Sequence, residues 1–253
     1  KLKQLNMKTN QKIFITGASS GIGAAMAIEY AKRSAILGLA ARRKEKLEQI
    51  AQECLDQGAN HVETYSLDVT DADLSEKTAK EFMELGEKGI DIVVANAGIA
   101  ISDRLSKGES SRINHVLNTN ILGVTNTIIP FIPKMKEQKQ GKCVIVSSLA
   151  GFNPMPYFGG YSASKVAVRM LGDSWRKTLL KHNIQFTTIC PGFIKSEMTD
   201  VNEFHMLFLM ETDVAAKKML RAIDVGKKTY ILPWQWRVLI NLNLFKLAQK
   251  LLA

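Results

Sequence analysis

The chain has 253 residues, 46% of them hydrophobic and 23% charged, and a formal net charge of +10. That length and balance suit one large domain with a well-buried core, and no run of about eighteen apolar residues offers a membrane-spanning helix. The three cysteines, Cys54, Cys143 and Cys190, are spaced too widely for a disulfide framework or a metal site, which points to a reducing, cytoplasmic setting.

Residues 1–10 read as an N-terminal extension. Lys1–Lys12 is polar and basic and lacks the apolar core of a secretory signal, and Met7 is a candidate natural start, with residues 1–6 upstream of it. A first strand, Lys12–Thr16, runs into Gly17-Ala18-Ser19-Ser20-Gly21-Ile22-Gly23 and a helix that extends to Arg33. Glycines at a strand-to-helix turn let the backbone approach a ligand, and the new helix aims its N–H groups and positive dipole end at an anion. A pyrophosphate suits that turn, although the spacing is G-x-x-x-G-x-G and not the commoner G-x-G-x-x-G.

A second strand, Ala35–Ala41, a helix Lys44–Gln57 ending at Gly58, and a third strand, His61–Leu67, follow. A helix is expected over Asp71–Glu87, a fourth strand over Asp91–Ala95, and a long helix from Ser110 to Lys139 interrupted near Pro130 and Pro133. Strand Lys142–Ser147, helix Ser162–Lys181, strand Gln185–Cys190, helix Thr212–Val225 and strand Lys228–Leu232 complete the pattern. Alternation of this kind predicts an α/β fold, a single Rossmann-like doubly wound parallel sheet of about seven strands flanked by helices on both faces. It spans residues 11–233, and ligands in it bind at the carboxyl ends of the strands. The lysines and arginines are scattered over the helices without interleaved aromatics. A solvated basic surface is therefore expected, not a nucleic-acid face, and part of the excess suits an anionic cofactor or an acidic membrane surface.

Tyr161 and Lys165 stand four apart in a helical segment, so they project from one face. A phenol titrates near pH 10, and a cation beside it favours the phenolate, which suits proton exchange with an alcohol or carbonyl oxygen. Ser148 adds a hydroxyl to hold that oxygen. The ordered set of Thr16-Gly17-x-x-x-Gly21-Ile22-Gly23, Leu67-Asp68-Val69, Asn96-Ala97-Gly98, Asn120 with Gly123, Ser147-Ser148, Tyr161-x-x-x-Lys165 and Pro191-Gly192 resembles the short-chain dehydrogenase/reductase family. Ala95 departs from it, where relatives often carry a second Asn.

The resemblance implies hydride transfer between a nicotinamide and a carbonyl carbon, with Tyr161 as general acid/base, Ser148 on the substrate oxygen and Lys165 on the phenolate and the nicotinamide ribose. It implies that Asn120 takes part in a proton relay, that Asp68 meets the adenine edge while Val69 packs on the ring, and that Asn96, Ala97 and Gly98 line the cofactor. Pro191 and Gly192 would turn the chain over the nicotinamide, with Ile194 near the carboxamide and Ser196 near the diphosphate or carboxamide. Ser19 and Ser20 belong to the phosphate turn with Gly17, Gly21, Ile22 and Gly23. After the second strand, where NAD-preferring enzymes place an acid for the ribose, this chain has Arg42 and Arg43. Guanidinium groups suit a 2′-phosphate, so NADP(H) is favoured over NAD(H), with Arg42 the first contact and Arg43 the second.

Apolar residues gather in Ala150–Phe158 (Phe152, Met155, Tyr157, Phe158) and in a lid near 193–212 (Met198, Phe204, Met206–Met210), which predicts a hydrophobic carbonyl or alcohol substrate. The tail 234–253 reads as an amphipathic helix of the same domain. It is able to pack on its own domain, pair with another subunit or lie on a membrane surface. A homodimer or homotetramer is expected from the resemblance. A catalytically silent NADP-binding sensor or interaction protein is the alternative, though such proteins usually lack the Tyr or the Lys.

Overall fold

The computed structural model describes residues 10–86, 89–200 and 206–242. Its centre is a seven-stranded sheet in the order β3-β2-β1-β4-β5-β6-β7, and every pairing is parallel. The strands are β1 Lys12–Thr16, β2 Ile36–Ala41, β3 His61–Ser66, β4 Ile92–Ala95, β5 Gly141–Val146, β6 Ile184–Pro191 and β7 Thr229–Leu232. The order reverses direction between β1 and β4, so connections leave towards opposite sides there and open a crevice at the carboxyl ends.

Burial on both faces explains why β1 and β4 are continuous apolar runs and not alternating ones. Successive side chains point to opposite faces. Ile13 and Ile15 join one core with Met26, Leu47 and Met219, from α1 (Gly21–Ala31), α2 (Lys44–Asp56) and α8 (Thr212–Asp224). Phe14 joins the other with Phe82, Ile128, Met135 and Val168, from α3 (Ala72–Glu84), α5 (Gly123–Ile128), α6 (Ile132–Gln138) and α7 (Gly159–Leu179). The Phe14 ring lies 5.5 Å from Phe82 and 5.1 Å from Phe131, and burying each such ring contributes about 1.5–3 kcal/mol.

Most boundaries fall within a few residues of the expectation, and the exceptions have local causes. The helix expected from Asp71 begins at Ala72 because Asp71 is its cap, its carboxylate accepting from the Leu74 N–H at 2.9 Å. The long helix expected over 110–139 is divided: α4 (Ser110–Leu117) passes through a π-helical turn, Asn118–Leu122, into α5, and a 3-10 turn at Ile129–Phe131 precedes α6. The prolines account for the second break; the first has no sequence signal and carries Asn120. Helix α7 starts earlier than expected, at Gly159, because the Asp103 carboxylate accepts from the Gly159 and Gly160 N–H groups.

The expected tail helix is present as α9, Trp234–Asn241. Trp236 is buried in a small cluster with Leu149, partly buried Phe193, Leu207 and Leu239 packing on it, and Phe208 meets it edge-on at 5.5 Å. The described part of the tail therefore packs on its own domain, while Trp234, Val238 and Leu242, spaced by four, remain exposed. The remainder of that tail, and Phe204, lie outside the described residues. No helix among the described residues is long and apolar enough to cross a membrane.

Candidate active site

The glycine turn after β1 is held shut from beneath. Gly17 adopts φ +66°, and a Cβ on Gly23 would lie 2.3 Å from the Gly17 carbonyl oxygen, so neither position accepts a side chain. Asn96 closes the turn from β4: its amide donates to the carbonyls of Thr16 (3.0 Å) and Gly17 (3.2 Å). Thr16 returns the tie, its hydroxyl oxygen accepting from the N–H groups of Asn96 and Ala97. Asn96 and Ala97 are thus braces of the turn, a role the motif alone did not reveal. Ser20, the residue before α1, makes no side-chain capping bond, so the first-turn N–H groups suit an anion. This cradle fits the pyrophosphate of a dinucleotide.

Two arginines stand at the end of β2, and they divide. Arg42 faces Asp68 at 3.7 Å. Asp68 also accepts from the Thr70 N–H (3.0 Å) and hydroxyl (2.8 Å), and these bonds, then Arg42, hold its carboxyl below the ordinary range. Arg43 is the one that reaches the turn. It donates to the Ser19 hydroxyl at 3.1 Å and the Ser20 hydroxyl at 2.6 Å, and to Glu197 at 2.6 Å. Val69 is buried, and a Cβ on Gly123 would strike its side chain at 2.5 Å; Gly123 keeps α5 close to that loop.

Tyr161 lies beside Lys165 and shares a hydrogen bond with Ser148, and Lys165 and Asn120 come together at Gly98. A Cβ there would lie 3.1 Å from the Asn120 amide oxygen and 3.4 Å from the Lys165 Nζ. Asn120 is fully buried, and its side chain is fully used: the oxygen accepts from the Ile99 N–H at 2.8 Å, and the nitrogen donates to the Ile99 carbonyl (2.9 Å) and the Ser164 hydroxyl (3.0 Å). Lys165 donates to the Val146 carbonyl at 3.0 Å and sits 5.5 Å from the Tyr161 ring centroid. Burial lowers the Lys165 pKa to about 8. Burial also pushes the half-buried Tyr161 phenol up, and a hydrogen bond with Ser148 pulls it part of the way back. Desolvation therefore outweighs the downward pull expected of the neighbouring cation.

Two serines that the sequence reading did not assign hold this group. Ser147 donates to the Lys165 carbonyl at 2.8 Å, and Ser164 donates to the Tyr161 carbonyl at 2.6 Å. Together they fix the pitch of α7 against β5 and the π-helical turn. The serine doublet was a visible signal for Ser147. Asp103 had none, since only the fold carries it to α7.

Pro191 ends β6, and beyond it the chain passes Gly192 and folds back so that Ile194 bridges to Met210. Ser196 overlies the glycine turn, its Cβ 3.3 Å from where a Gly21 Cβ would stand. Of the apolar residues expected near a substrate, Phe193 and Leu207 join the Trp236 cluster and Phe152 stacks under Arg169 at 4.4 Å. Tyr157 is 81% exposed and Met198 is exposed, so neither is gathered into that cluster. All three cysteines are buried, and burial pushes the Cys54 and Cys190 thiols up to about 12.

A family model described as short chain dehydrogenase matches residues 11–205. An uncharacterized oxidoreductase of Myxococcus xanthus is 37% identical over 224 residues, 88% of each chain. The 11-beta-hydroxysteroid dehydrogenase 1A of Arabidopsis thaliana is 34% identical over 219 residues, 85% of this chain and 60% of that one. Among solved structures, an alcohol dehydrogenase from the archaeon Thermococcus sibiricus, complexed with 5-hydroxy-NADP, superposes with a TM-score of 0.77 at 28% identity, covering 88% of this chain and 95% of that one.

Proposed function

The chain belongs to the short-chain dehydrogenase family, and from that premise we propose that it is an NADP(H)-dependent oxidoreductase interconverting an apolar ketone or aldehyde with its alcohol. The grouping of Tyr161 with Lys165 on one side and Ser148 on the other carries the reading. A nicotinamide, when bound, supplies or takes up the hydride. The protein's part is the proton and the geometry. Tyr161 holds the proton that passes to a carbonyl oxygen, and Ser148, bonded to that phenol, holds the oxygen in line with it. Lys165 keeps a cation 5.5 Å from the ring, which stabilises negative charge on the phenolate as the proton leaves. Asn120 braces the Ile99 loop against Ser164, and Ser164 in turn holds the Tyr161 backbone.

The glycine turn, Ser19, Ser20, Asp68, Val69 and the Asn96–Gly98 loop would hold the dinucleotide, with Pro191, Gly192, Ile194 and Ser196 covering its nicotinamide half. Two guanidinium groups after β2, one of them bonded to Ser19 and Ser20, support a 2′-phosphate there. The apolar cluster of Leu149, Phe193, Leu207 and Trp236 supports an apolar substrate, as does the hydroxysteroid activity named for the Arabidopsis relative. Exposed Leu122 and Ile129, in the turns flanking α5, and Val166 and Met170, on α7, support a homodimer or homotetramer. The exposed Trp234, Val238 and Leu242 of α9 suit peripheral contact with a membrane surface.

Equilibrium binding of NADPH and NADH to the wild type and to Arg42→Ala tests the cofactor. Wild type binds NADPH more tightly, and Arg42→Ala weakens NADPH alone by about tenfold or more, as loss of a charge-assisted contact should. Equal or tighter binding of NADH by the wild type would refute the NADP assignment.

A further inference from the structure

Arg43 and Lys46 hold a carboxylate that sequence position does not bring to them. Glu197 lies in the loop after β6, yet its two oxygens meet Arg43 at 2.6 Å and Lys46 at 2.5 Å. The same guanidinium bonds Ser19 and Ser20 in the phosphate turn. Arg43 therefore presents one edge to that turn and another to an acid from a different part of the chain. Its neighbour Arg42 is similarly occupied by Asp68. The hydrogen bonds and charges of Lys46 and Arg43 keep Glu197 ionised, its pKa pulled down to about 2, so it is an anion throughout the neutral range.

On the NADP reading above, a 2′-phosphate is a second anion drawn to this guanidinium. A phosphate dianion and the Glu197 carboxylate cannot both take the Arg43 edge without either repelling each other or displacing one bond. A ribose 2′-hydroxyl brings no such conflict, and a carboxylate is the group that ordinarily accepts from it. We propose that Glu197 is a specificity-determining residue, an internal anion that competes with the 2′-phosphate of NADP(H) for Arg43 and so narrows the preference for NADP(H) over NAD(H). The acid missing from the end of β2 is in this way supplied from the loop after β6. Because Ser196, next to Glu197, overlies Gly21, displacement of the carboxylate also loosens that loop from α2.

Binding of NADPH and NADH to Glu197→Gln tests this, with the same substitution repeated in an Arg43→Ala background. Exposed ion pairs are weak, so freeing Arg43 from this competition should tighten NADPH by about 2- to 5-fold. NADH should stay unchanged or weaken, and Glu197→Ala should follow the same direction. In Arg43→Ala the effect of Glu197→Gln should vanish, since coupling between the two sites is what the cycle reads. Unchanged or weaker NADPH binding, equal tightening of both cofactors, or a Glu197→Gln effect that survives in Arg43→Ala would each overturn the inference. If the wild type instead prefers NADH, the NADP reading fails and the inference with it. If the NADPH preference holds while Glu197→Gln changes nothing, only the inference fails.

Discussion

Lys165→Met should make the protein more stable at neutral pH while removing a group the proposed chemistry needs. Lys165 is 5% exposed, and burial moves its pKa from 10.5 to about 8. At about 1.4 kcal/mol per pH unit, keeping the cation inside costs the fold about 3 kcal/mol. The folded pKa lies below the unfolded one, so the folded state binds fewer protons between about pH 8 and 10.5, and stability rises with pH across that window. Below pH 8 both states are protonated and the cost is felt in full. Methionine fills the space without charge, but the Val146 carbonyl loses its donor, which returns about 1–2 kcal/mol. The balance at pH 7 is a gain of about 1–2 kcal/mol, or about 2–8 °C in melting temperature. Paired thermal melts of wild type and variant at pH 7, 8, 9 and 10 measure it, and the advantage should shrink steadily above pH 8. A variant less stable than wild type at pH 7, or an advantage independent of pH, would refute the reasoning.

Asp103→Ala should leave the Gly159 and Gly160 N–H groups at the start of α7 without their carboxylate, costing about 1–3 kcal/mol of stability in a denaturant melt; an unchanged midpoint would mean that α7 is fixed by Ser147 and Ser164 alone. Gly23→Ala places a Cβ 2.3 Å from the Gly17 carbonyl oxygen, so the turn must shift. A stability loss of about 2–4 kcal/mol and loss of nucleotide binding by calorimetry are expected, and retention of both would show that the turn is looser than its contacts imply.

The layout of the sheet was legible because each strand is short, apolar and followed by a helix of clear period, and β1 and β4, buried on both faces, read as unbroken apolar runs. Tyr161 and Lys165 stood out through their company and not through spacing alone, since the four-residue interval gained its meaning from the glycine turn and the other motifs in order along the chain. What escaped is non-local. The π-helical turn at Asn118–Leu122 has no glycine or proline at Asn120 to announce it, and it sets where that amide points. Asp103 meets Gly159 and Gly160 across 56 and 57 positions, and Glu197 meets Arg43 across 154; neither pairing leaves a periodic trace. Chemistry could rank Arg42 and Arg43 only by their distance from the strand, and the fold turns Arg42 towards Asp68 and Arg43 towards the phosphate turn.

The central claim is that Tyr161 moves the proton in carbonyl–alcohol exchange. Its most direct test follows the reduced nicotinamide absorbance with NADPH and a panel of apolar ketones and aldehydes, for wild type and Tyr161→Phe, with NADPH binding measured on both. Wild type should show carbonyl-dependent NADPH oxidation. Tyr161→Phe should bind NADPH within about twofold of wild type and turn over about 10²–10⁴ times more slowly, the range for loss of a general acid. A phenylalanine variant that keeps wild-type turnover would contradict the account.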